Sequence, residues 1–390
     1  MANPPPPYDN ITGISRAVMK DNAQETIQNY NGVARPGELV VDMLTFDLYV
    51  GNTNGNINLV GGGTSNGGIS GGTFYVDAGR TDYYTPTGAA ETPFLSITAA
   101  LAYIEARIAD GSLVISISGS LVQNPQFIVV RNSTTENVVL TRGNIFIIGD
   151  TPDAGHVPVW INGHVTITPA DSGANAINVN RFGLFNISIL PSGAYHGIEL
   201  TGSNPCKVYM EDTYVYQGNG SKSCVYANNT GTASRVELLG CTMAREAGST
   251  YLIDIQRGYC KIENLETNGA GQVLNQANDS TGTMLNSTID ANTGAVVTLS
   301  GTVQWGMGTC IFNNTSTAAN TYGVTMSGTA SMQFGVCTFN IPAAQATNRA
   351  INGTATNTVL YTGPVFQYGT CDKISTAITL IPLDTTFTAV

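Results

Sequence analysis

Two glutamates have the type and spacing for chemistry. Glu211 and Glu263 each stand one position before a turn residue, in repeat units separated by one further unit whose equivalent residue is Leu239. If each unit is one layer of strands, the two backbones lie about 9.6 Å apart. That is near the roughly 6.5–9.5 Å between the acid and base carboxylates of an inverting glycosidase. Two solvated carboxylates on a sparse surface would show the same spacing, so the pair is a candidate and not an assignment. Tyr209, Glu237 and Lys261 fall three positions before the turn in successive units. Stacked, they would make an outward strip with the Tyr209 ring as a sugar platform and an exposed Glu237–Lys261 ion pair worth about 0–1 kcal/mol. The same column would serve as a contact between protomers, or face solvent. His156, His164 and His196 lack the spacing of a metal set and read as surface turn residues. The seven cysteines contain no CxxC pair, which argues against a zinc cluster or a disulfide framework. Cys241, Cys310 and Cys337 read as small buried hydrophobes. Gly61–Gly63 lacks the following lysine and helix of a phosphate loop. No cofactor and no metal is expected.

These candidates have meaning only if the repeat is real. Turn residues fall at Asn186, Asp212, Gly240, Asn264, Asn286, Thr309, Val336 and Gly363, spaced by 22 to 28 residues. Four positions before them stand Phe182, Val208, Val236, Cys260, Gly282, Trp305, Met332 and Val359. Two before stand Leu184, Met210, Leu238, Ile262, Met284, Met307, Phe334 and Tyr361, and three after stand Ile189 through Phe339 and Phe366. Polar or small residues lie between, as strand alternation requires. An irregular period with internal two-residue alternation predicts an all-β fold, a right-handed parallel β-helix of about 8–10 rungs in which neighbouring coils bury each other. Strands at Leu113–Ile117, Phe127–Val130, Val138–Leu140, Ile145–Ile148 and Val157–Ile167 would supply the opening rungs. A two-sheet sandwich is the competing reading. It does not explain why Cys-Thr-Met, Cys-Ile-Phe and Cys-Thr-Phe recur in register at 241, 310 and 337.

Before the repeat, Ile97, Ala100, Leu101, Ile104 and Ile108 share one face of an amphipathic helix with Ser96 as N-cap, suited to covering the first rung. Residues 1–60 read as a separate small β module, with strands at Glu38–Val41, Leu48–Gly51 and Ile57–Val60 and a weakly helical stretch from Ile14 to Tyr30. Residues 61–72 are a glycine-rich linker, 73–111 an entry strand and capping helix, 112–366 the β-helix, and 367–390 a C-terminal strand and tail. The composition agrees. Of 390 residues only 11% are charged, 42% are hydrophobic and 44 are glycine, with 16 Lys and Arg against 27 Asp and Glu. The acidic balance argues against nucleic-acid binding. No apolar run is long enough for membrane insertion, and the Pro-rich start lacks the pattern of a secretory signal.

Two stretches carry a resemblance. The segment ARPGELVVDMLTFDLYVGNTNGNINLV, from Ala34 to Val60, resembles the N-terminal module of bacteriophage tail-fibre and other virion surface proteins. With the preceding YDNITGISRAVMKDNAQETIQNYNG it is most similar to structural proteins of phages of marine cyanobacteria. The segment TFYVDAGRTDYYTPTGAAETPFLSITAALAYI resembles the entry strand, loop and capping helix of pectin-lyase-like β-helices, including phage tailspikes. The resemblance implies a virion location after assembly in the host cytoplasm. It also implies a homotrimer, attachment to other virion proteins through residues 1–60, and contact with a host-surface glycan without catalysis. A capsid decoration protein of the same fold and a polysaccharide-cleaving tailspike are the alternatives.

Overall fold

The computed structural model describes residues 72–109, 125–150, 158–172, 176–192, 195–361 and 374–382, less 219, 232, 247, 249, 270, 279 and 343–346. It also describes the strand backbones at 17–20, 39–42, 48–51, 57–61, 114–117, 120–123 and 366–368. The chain divides into two compact units, residues 74–102 with 127–390 and residues 1–73 with 103–126.

The larger unit is a right-handed parallel β-helix of three sheets. The first sheet has twelve strands, from Thr73–Val76 to Thr379–Pro382. The second has nine, from Trp160–Ile161 to Phe366–Tyr368. The third also has nine, from Val138–Leu140 to Arg349–Asn352. From Ile145–Gly149 onward the chain visits first, second and third sheet in turn and returns one rung further along, through eight complete coils. Alternation inside each strand sets the core. In Lys207–Glu211, Val208 and Met210 are buried and Lys207, Tyr209 and Glu211 face out. The inward columns run in the expected register, with Val208 paired to Val236 and Cys260, and Met210 to Leu238 and Ile262. The column ends differently from expectation. Cys337 pairs with Phe366 and Phe339 with Tyr368, so Phe366 sits two residues away from its anticipated place. The segment joining Tyr361 to Phe366 is longer than the one joining Phe334 to Cys337.

In six successive coils the corner between first and second sheets is a left-handed residue; at the next corner Val336 is not left-handed. Asn186, Asp212, Asn264, Asn286 and Thr309 have φ of 49°, 48°, 54°, 50° and 54°, and Gly240 has φ of 60°. Asn and Asp tolerate this conformation through local hydrogen bonding, which is why they recur there. At Gly240 an added Cβ would also stand 2.6 Å from Asp212 Oδ1. The other corners use amide side chains to satisfy loop carbonyls. Asn180 Nδ2 donates to Asp171 O and Pro205 O, Asn229 Nδ2 to Thr201 O and Asn204 O, and Asn314 Nδ2 to Gly294 O.

Helix α1 (Ile97–Ala109) begins in the coil unit. Ser96 Oγ accepts from Ala99 N at 3.1 Å, the expected N-cap. Glu136 adds a second cap from the coil, accepting from Ile97 N at 2.7 Å and from Thr98 N at 2.8 Å. Ile97, Ala100, Leu101 and Ile104 are buried, and Ile108 is half-buried.

In the smaller unit, Ala17–Lys20, Leu39–Asp42, Leu48–Gly51 and Ile57–Gly61 form a four-stranded sheet in that order. The first pairing is parallel and the next two are antiparallel. Ala17–Lys20 lies inside the stretch expected to be helical. Its weak helical preference yields to pairing with Leu39–Asp42, which satisfies the backbone in a way an isolated short helix cannot. The strand at Val114–Ile117 is real, but it pairs antiparallel with Ser120–Gln123 as a hairpin of this unit and is not an opening rung. The expected strand Val157–Ile167 is two strands, Trp160–Ile161 and Val165–Ile167, placed in different sheets by the bend at Asn162 and Gly163.

Candidate functional site

On the outer face of the first sheet, Tyr209, Glu237 and Lys261 are direct neighbours on successive rungs, and the column continues through Thr283, Gly306 and Gln333. The strip exists, but its ion pair is not the expected one. Lys261 Nζ lies 3.1 Å from Glu263 Oε2. Glu263 is two residues along the same strand on the same outward face, so its carboxylate reaches the ammonium, and that hydrogen bond raises the Lys261 pKa. Tyr209 is half-buried; burial and the Glu237 charge push its hydroxyl up. Glu211 and Glu263 occupy one column with Leu239 between them, as expected. Glu211 is exposed, and Glu263 is held by Lys261. Beyond Lys261 the missing side chain of Gly306 leaves a groove of about 460 Å³ lined by Tyr259, Thr283, Gln304 and Gln333 among others. Tyr259 Oη and Thr283 Oγ1 are hydrogen-bonded at 3.2 Å on its edge.

The outer face of the second sheet carries a feature the sequence reading missed. Asn268, Asp290, Asn313 and Asn340 stand on four consecutive strands, Glu266–Gly269, Thr288–Ala291, Cys310–Asn314 and Cys337–Asn340. Asn340 Nδ2 donates to Asn313 Oδ1 at 2.7 Å, and Asn313 Nδ2 donates to Asp290 Oδ1 at 2.6 Å. The buried hydroxyl of Thr267 accepts from Asp290 N at 2.7 Å and fixes the backbone at the foot of the ladder. Together with Asn292 and Thr315, these side chains line a groove of about 530 Å³. A signal was available, because all four residues stand four positions after the turn column. Asn reads locally as a turn former, which hides its role on a strand face.

On the third sheet, Asp254 faces outward beside Asn275. Burial pushes its carboxyl up, opposed by hydrogen bonds from Asn275 Nδ2 at 2.8 Å and Gln256 Nε2. Two histidines are not bland surface residues. His164 is buried and stacked on Tyr195 at 4.3 Å, and burial lowers its pKa. His196 stacks on Tyr226 at 4.4 Å and accepts from Ser223 N at 3.0 Å. Burial, then the Lys222 and Arg245 charges, lower it to about 4. His156 lies outside the described residues. Cys241, Cys310 and Cys337 are buried inward, as the alternation implied. Among the described residues no three His, Cys, Asp or Glu side chains group closely enough to hold a metal ion.

No family model matches the chain. No curated protein matches it in sequence. A solved structure titled as the pectate lyase Pel9A is similar with a TM-score of 0.43 and 11% identity, over 81% of this chain and 79% of that one.

Proposed function

We propose that the chain is a structural protein of a bacteriophage particle. In this reading it is attached to other virion proteins through residues 1–60, assembles as a homotrimer, and makes adhesive contact with a host-surface glycan without cleaving it. The observation that carries the proposal is the N-terminal sheet. Its strands Leu39–Asp42 and Leu48–Gly51 fall on the LVVD and LYVG of the segment that resembles virion attachment modules, and the sheet belongs, with residues 103–126, to the smaller of the two compact units. The coil faces support an adhesive role. Their grooves are wide and lined by amides and hydroxyls, and the Glu211–Glu263 column puts one member in an ion pair with Lys261.

The test is labelling of intact particles with an antibody raised against residues 127–342, viewed by electron microscopy. Label at the tail supports a host-contact fibre or spike. Label over the head makes the chain a capsid decoration protein, and the absence of label from particles overturns the virion assignment. Deletion of residues 1–60 is expected to leave a folded coil that no longer joins the particle. Release of oligosaccharides from host envelope polysaccharide, abolished by Glu211→Gln or Glu263→Gln, would establish the tailspike enzyme instead.

A further inference from the structure

Asn268, Asp290, Asn313 and Asn340 line one outer face of the coil, the last three joined by hydrogen bonds, and their chemistry selects a ligand. An amide nitrogen carries two N–H groups. In Asn313 and Asn340 one of these is used by the rung before, which leaves the other for an external acceptor. The chain of bonds has one direction, from Asn340 through Asn313 to Asp290, so each bond polarises the next. At its foot Asp290 accepts through Oδ1, and its second oxygen remains an acceptor. The groove therefore offers free amide donors at Asn313 and Asn340 and a carboxylate acceptor at Asp290, on rungs about 4.8 Å apart. A sugar ring carries hydroxyls that both donate and accept, and an extended hexose chain repeats on a similar length. The four rungs span about 14 Å between their outer members. The lining residues include no Lys, Arg or His and one carboxylate, Asp290. A uronate or other anionic sugar would meet that charge with nothing to offset it.

We infer that this groove binds an extended, uncharged glycan running along the coil axis, with about one sugar per rung. The ladder amides would hold its hydroxyls, and Asp290 would select against acidic sugars. The inference rests on the adhesive reading above and assigns it a face and a ligand class.

The experiment is calorimetric titration of the full chain with uncharged gluco-, manno- and galacto-oligosaccharides and with a galacturonate oligomer. Wild-type protein is expected to bind one uncharged series and not the uronate. Asn313→Ala, which removes the middle of the ladder, should weaken that binding about tenfold, the loss of one or two hydrogen bonds. Val139→Ser, at an exposed position on the third sheet, should leave it unchanged. Asp290→Asn keeps an oxygen for Asn313 and should retain uncharged binding while raising uronate affinity about tenfold. Binding of an uncharged series that Asn313→Ala leaves intact would overturn the assignment, as would a wild-type preference for the uronate. If no uncharged series binds while Tyr209→Ala or Lys261→Ala abolishes particle adsorption to host cells, this inference fails and the adhesive reading stands. If no variant affects either measurement, both fail.

Discussion

Gln276 offers the sharpest test of how this coil is held together. It stands in an inward column of the third sheet, with Ile255 below it and Leu299 above. All three are fully buried. Neither its Nε2 nor its Oε1 has a hydrogen-bond partner among the described residues. Burying an amide without compensation costs about 1–3 kcal/mol by mutational measure. Leu differs little in volume, and such an exchange in a packed core costs less than about 1.5 kcal/mol. At the middle of these ranges Gln276→Leu should stabilise the protein by about 1 kcal/mol. Gln217 is the control. It is equally buried, but its Nε2 donates to Tyr195 O at 3.0 Å and Ser223 O at 3.1 Å. Gln217→Leu strands those carbonyls and should destabilise by about 2–4 kcal/mol. Urea denaturation at unchanged m reads both effects as shifts of the midpoint. The same substitution is thus expected to have opposite signs at two buried glutamines. A lower midpoint for Gln276→Leu, or a shift of both variants in one direction, would refute the idea that hydrogen-bond partnership sets the sign.

Three further perturbations test other parts of the structure. In Gly282→Ala the new methyl group would meet the Trp305 ring and stand 2.7 Å from Cys260 O; a loss of about 1–3 kcal/mol from overpacking, with altered tryptophan fluorescence, is expected. Glu136→Gln removes a charge-assisted cap from α1 and should cost about 1–2 kcal/mol, seen as faster hydrogen exchange at Ile97 and Thr98. His196 is lowered from its ordinary 6.5 to about 4, so the fold favours its neutral form. Its contribution is complete above pH 6.5 and is lost as pH falls through the folded value. His196→Gln should flatten that part of the melting-temperature profile, and an unchanged acid-side slope would show that the imidazole does not titrate as its surroundings imply.

The sequence by itself determined the coil. Side chains alternate with a period of two on every strand, and a left-handed corner favours Asn, Asp or Gly, so the column of Asn186, Asp212, Gly240, Asn264 and Asn286 aligns the strands in the register that the coil adopts. Local pattern also located α1 and the strands that follow the GELVVD motif. Tertiary structure decided what local pattern leaves degenerate. Val114–Ile117 has the same alternation whether it joins a hairpin or a coil, and only its pairing with Ser120–Gln123 tells them apart. Lys261 had carboxylates within reach both across the rung and along its own strand, and side-chain geometry chose Glu263. Gln276 looks locally like any polar residue near a turn, yet the register places it between Ile255 and Leu299. The hydrogen bonds of the amide ladder join residues 23 and 27 positions apart, and they exist only because successive coils stack in register. A sequence specifies what each residue prefers nearby, whereas contacts between rungs depend on how many residues each loop inserts before the chain returns.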